Sequence, residues 1–119
     1  MNADIKEQIF EKMAGWQESA EEWRSPEGKK IPYRKFSRWI EPENNDFDSY
    51  TISVSVWPKN VSVEITESCG ECGAETDSED RWAMIQAFRV AKVPHSVFLE
   101  RSEDLIKLAY NVLEKEFTV

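Results

Sequence analysis

The sequence predicts an α+β domain. It reads as an N-terminal helix, an antiparallel sheet of three strands with a short fourth as an option, and two C-terminal helices packed on one sheet face. Three observations carry this expectation. Apolar residues recur at helical steps near the N-terminus, two period-2 runs flank a tight turn in the middle, and two further helical stripes follow a capping signal. Runs of strands followed by runs of helices favour α+β over an alternating parallel arrangement. The 119 residues suffice for one core and no linker divides them, so residues 1–119 are expected to form a single domain.

Residues 4–23 place Ile5, Ile9, Met13, Trp16, Ala20 and Trp23 at steps of three and four. That spacing draws one apolar stripe along a helix, with Glu7, Glu11, Glu18 and Glu22 on its wet side. Asn2 or Asp4 can cap its start, and Ser25-Pro26-Glu27-Gly28 is expected to end it. Residues 29–40 are rich in strand formers (Ile31, Tyr33, Phe36, Trp39 and Ile40), and Pro32 marks an edge strand or a strand start. Glu41 to Asp48 reads as a polar loop.

The cleanest alternation follows. Tyr50, Ile52, Val54 and Val56 oppose Thr51, Ser53 and Ser55, and after Trp57-Pro58-Lys59-Asn60 the pattern resumes with Val61, Val63 and Ile65. Two such runs around a Pro/Asn turn predict an antiparallel hairpin with one buried face. Residues 67–76 form an acidic Cys/Gly loop. Thr76-x-x-Glu79 is a capping-box pattern, which predicts a helix burying Trp82, Ile85, Phe88 and Ala91 and closed by Pro94. Val97-Phe98-Leu99 is the optional short strand. Ser102 then caps a last helix with Leu105, Leu108, Ala109, Val112 and Leu113 inward.

Charge narrows the function. Twenty-three acids against 15 bases leave a net charge of −8, so a phosphate backbone or an anionic lipid surface is repelled by most of the molecule. No membrane association is expected, because the longest apolar run is four residues, Trp82 to Ile85. The opening Met-Asn-Ala-Asp-Ile-Lys-Glu has no apolar secretory core, and two neighbouring cysteines cannot staple a fold of this size, so a cytoplasmic setting is expected.

The basic residues are unevenly spread. Residues 24–38 hold six bases against Glu27, a local balance of +5, while the rest of the chain carries −13. Tyr33, Phe36 and Trp39 interleave with these bases as in a single-strand nucleic-acid platform. The surrounding negative field disfavours that reading, and cross-strand pairing of the bases with the rings in the core is preferred.

No catalytic constellation stands out. His95-Ser96 lacks triad partners and a nucleophile elbow, and four scattered glycines cannot write a phosphate-cradling loop. Asp46-Phe47-Asp48 starts like a calcium loop but lacks its Gly and closing Glu. Cys69-Gly-Glu-Cys72-Gly has the spacing of a zinc knuckle, with His95 as the one histidine available for a third ligand. A second cysteine pair is missing, and the acids around the motif disfavour a redox thiolate, so no metal or cofactor is expected.

The leading expectation is a small acidic non-enzymatic module that binds the basic surface of another protein. An inhibitor docking on a nucleic-acid-binding partner, such as a phage-encoded inhibitor of host defence, has this character, because an acidic face competes with nucleic acid for a basic groove. The candidate contact residues are the loop acids Glu41, Glu43, Asp46 and Asp48, and the acids Glu67, Glu71 and Glu75. Trp57 joins them, because it alternates onto the Ser/Thr face beside Pro58, and an indole there is either covered by the third strand or a dimer mate or offered to a partner. The alternatives are an acidic secretion-chaperone or immunity-type adaptor, and a zinc-binding protein using Cys69, Cys72 and His95; a homodimer is an option for the chain.

Overall fold

Glycine at position 15 decides how the N-terminal third folds. In the computed structural model, which describes residues 5–40, 48–69 and 83–117, Gly15 has φ of +94°, a backbone state that L side chains avoid. The chain therefore leaves the helical path there. Helix α1 spans Ile5–Lys12 only, and the next segment, Gln17–Arg24, is strand β1. The expected single helix over 4–23 is thus a helix and a strand. Its stripe misled because Ile9 and Met13 are buried by α1, whereas Ala20 and Trp23 fall at helical spacing on an exposed strand.

Strand β1 is held by its neighbour rather than by its own propensity. Eight residue pairs, from Gln17 opposite Ser37 to Arg24 opposite Lys30, join it to β2 (Lys30–Ile40). Ser25-Pro26-Glu27-Gly28 is the turn between them and not a helix end. Lys29 carbonyl accepts from the Ser25 amide at 2.8 Å, Ser25 Oγ accepts from the Lys29 amide at 2.9 Å, and Gly28 takes φ of +90°.

Strand β3 (Asp48–Val56) and strand β4 (Val61–Cys69) form the expected hairpin, with Val54 opposite Val63 and Ile52 opposite Ile65. Its turn closes where the Trp57 amide donates to the Asn60 carbonyl at 2.8 Å. The expected helix ending at Pro94 is instead strand β5 (Ala83–Val93), antiparallel to β4. Its capping-box residues, and Trp82, lie outside the described residues.

A β-bulge explains the misreading. Ala91 and Val93 oppose Val63 and Val61, but the register shifts between Val63 and Glu64, so Phe88 faces the same way as Ala91 at an odd spacing. That step of three mimics a helix.

The five strands therefore run in sequence order as one antiparallel meander, two more than the three expected. Helix α2 covers His95–Val112 as one unit in place of a short strand and a helix, and a π-helical turn, Leu113–Phe117, follows it. Val97-Phe98-Leu99 lies in its first turns. The backbone breaks at Arg101 (φ −119°, ψ 23°), one residue before the expected cap at Ser102.

Both helices lie on one sheet face, which is the layering expected. Ile9, Met13, Phe98, Ala109 and Leu113 pack there against Phe36, Ile52, Val54, Val63 and Ile65. The opposite face carries no helix among the described residues. Its short hydroxyls Ser53, Ser55 and Ser62 lie low and are buried nonetheless. No helix among the described residues is long and apolar enough to cross a membrane.

Candidate binding face

Strand alternation sorts the basic stretch onto both faces. Pairing of Phe36 with Val54 and of Arg38 with Ile52 puts Arg34, Phe36 and Arg38 on the helix side, and Tyr33, Lys35 and Trp39 on the other. Phe36 is core. Arg34 pairs with Glu18 at 2.6 Å and lies 4.9 Å over the Phe10 ring. Arg38 sits 4.3 Å over Trp16 and donates to the Tyr110 hydroxyl at 3.3 Å. The two arginines thus serve helix–sheet packing, and the interleaved pattern does not build one continuous platform.

On the helix-free face, Trp57 is fixed from several sides. Its ring stacks on Tyr33, with centroids 3.9 Å apart and planes within 22°. The indole N–H donates to Ser62 Oγ at 3.2 Å, and the backbone carbonyl accepts from His95 Nε2 at 2.6 Å. Beta strand β2 thus supplies the cover expected of a third strand, on one ring face. His95 is the first residue of α2, so this bond also ties the helix start to the hairpin turn. Burial, reinforced by Glu21 and Glu64, raises the Tyr33 phenol above its ordinary value of 10.0 and keeps it neutral at physiological pH.

Around Trp57 lies an open groove of about 710 Å³ that crosses the strands. Trp23 on β1 and Ile31 on β2 form its apolar side, and Arg89 and Lys92 on β5 its cationic side. Lys29 stands on the β1–β2 turn and Lys59 on the β3–β4 turn, with Glu64 as the one acid of the lining among the described residues. Trp23, expected on a buried helix stripe, is 45% exposed here. Sequence reasoning missed Arg89 and Lys92 because it placed them on a helix. The signal available was the strand-like Phe88-Arg89-Val90 run before Pro94.

The strands that flank the acidic candidates end at the other end of the sheet. Ile40 opposite Tyr50, Asp48 opposite Cys69 and Cys69 opposite Ala83 bring four strand ends together, so segments 41–47 and 70–82 both leave the sheet from that end. Glu41, Glu43, Asp46, Glu71 and Glu75 lie outside the described residues, as does the side chain of Asp48. Glu67 is near this end on the helix side, where its carboxylate accepts from the Tyr50 hydroxyl at 3.5 Å. Trp57 and Glu67 are therefore not brought together: they lie at opposite ends and on opposite faces of the sheet.

The cysteine motif and the histidine are separated in the same way. Cys69 ends β4, whereas His95 follows the end of β5 beside the start of β4. Eight strand steps of about 3.3 Å put roughly 27 Å between those two sheet ends. Cys72 lies outside the described residues, and among these no group of three metal-binding side chains occurs.

What the fold and this face define is a small α+β protein with one packed and one open sheet face. No protein-family model, curated protein or solved structure matches the chain.

Proposed function

We propose that the protein is a non-enzymatic binding module that docks its acidic sheet end on a basic surface of another protein. One observation carries this reading. Residues 41–48 and 67–82, which flank or leave that one end, hold ten acids and a single arginine, a balance of −9. The rest of the chain has thirteen acids against fourteen bases. The net charge of −8 is thus concentrated in two segments of the sequence, and the strands that flank them end at one side of the sheet. Such a concentrated field steers a basic partner into contact and competes with nucleic acid for the same cations.

An inhibitor of a nucleic-acid-binding protein fits this charge distribution best. Immobilised full-length protein is exposed to nuclease-treated lysate and washed at low and then high salt. The reading expects a basic protein retained at low salt and released at high salt, since contacts between exposed charges are screened. An empty column, or capture indifferent to salt, contradicts it.

A further inference from the structure

We infer that the groove on the helix-free face is a binding site for a small anion carrying a planar ring, of the nucleoside diphosphate class. Charge is the first argument. Lys29, Lys59, Arg89 and Lys92 line the groove against Glu64 alone, a balance of +3 in a chain of −8. Arg89 Nε is 4.0 Å from the Glu64 carboxylate, with its side chain 58% exposed. A loose pair of this kind leaves the guanidinium able to turn toward a phosphate.

The second argument is preorganisation. Trp57 is held by the Tyr33 stack, by Ser62 and by His95, so little side-chain freedom remains to be lost when a ring packs beside it. Trp23 supplies further exposed aromatic surface on the same side. Trp23, Ile31 and Trp57 lie toward β1 and β2 with Lys29 beside them, and the arginine and a second lysine of the lining lie on β5, which gives a ligand a direction: ring at Trp23 and Trp57, phosphates at Arg89 and Lys92.

Size selects the ligand class. At about 710 Å³ the groove falls within the ordinary span of small-molecule sites. Adjacent strands are about 4.8 Å apart, so roughly 10–19 Å separates the strands of the aromatic side, β1 to β3, from β5. That distance suits a ring joined through a sugar to two phosphates better than a bare anion. A nucleic-acid strand is the weaker occupant. It would bring many negative charges against a chain of net −8, whereas a diphosphate fits within the cationic lining.

The test is calorimetric titration of the full chain at low ionic strength with ADP, inorganic phosphate and an oligothymidylate in parallel. Saturable ADP binding with Kd of about 1 mM or tighter is expected, with phosphate alone at least about tenfold weaker. Lys92→Glu and Trp23→Ala, both at exposed positions, should each weaken ADP about tenfold and leave the melting temperature unchanged. No ADP binding by folded protein overturns the inference. So does equal affinity for phosphate, tighter binding of the oligonucleotide, or indifference to both substitutions. None of these results bears on the acidic end, whose test uses a different surface and a different ligand.

Discussion

Trp57 shows how a single side chain joins local chemistry to a surface. Its indole finds an acceptor in Ser62, so Ser62→Ala leaves a partly buried donor without its partner and should cost about 0.5–1.5 kcal/mol in chemical denaturation. Ser53, one strand away, makes the contrast. Its hydroxyl is buried without a hydrogen-bond partner among the described residues, so Ser53→Ala should leave stability unchanged or raise it. A clear loss at Ser53 would mean that its hydroxyl has a partner. Tyr33 adds a pH signature. Its folded phenol titrates above 10.0, so the stability it contributes is complete below that value and is lost as pH rises from 10.0 through the raised folded value. Tyr33→Phe keeps a ring beside Trp57, and its melting temperature should therefore fall less than that of the wild type when pH is taken past 10.0. The alternation of Trp57 onto the Ser/Thr face was legible in the sequence; the three contacts that fix it were not, because Tyr33, Ser62 and His95 lie on other elements.

Among the elements, the β3–β4 hairpin was readable because each strand keeps strict alternation over one buried face. Strands β1 and β5 were not, for opposite reasons. Strand β1 is exposed along its whole length and offers no buried periodicity, and β5 has its alternation broken by bulges. A substitution at Gly15 separates the two readings of the N-terminal segment by sign. In a continuous helix, Gly15→Ala would stabilise by about 1 kcal/mol. At φ of +94° it should instead destabilise by about 1–2 kcal/mol, although no atom crowds the added Cβ. Helix α2 anchors the layer above the sheet, and its fully buried Phe98 packs within the core. Phe98→Ala should cost about 3–5 kcal/mol, well beyond anything the exposed Arg34–Glu18 pair can contribute.

Across the whole molecule, the meander brings the strand ends that flank the two acid-rich segments to one end of the sheet. Antiparallel order sends every second connection to the same end, so segments far apart in sequence, 41–47 and 70–82, leave from one place. The acids themselves were legible from composition. That the strand ends flanking them meet at one end was not, because it depends on reading 83–93 as a strand. The same order puts the cationic groove toward the hairpin turns, at the opposite end from those strand ends. The central claim, that the acidic end is the docking surface, is tested most directly by reversing Glu41, Glu43, Asp46 and Asp48 together to lysine. Capture from nuclease-treated lysate and thermal melting are then compared with the wild type. Loss of the salt-sensitive basic partner is expected, with stability within about 0.5 kcal/mol of wild type. Undiminished capture by the folded variant would contradict it.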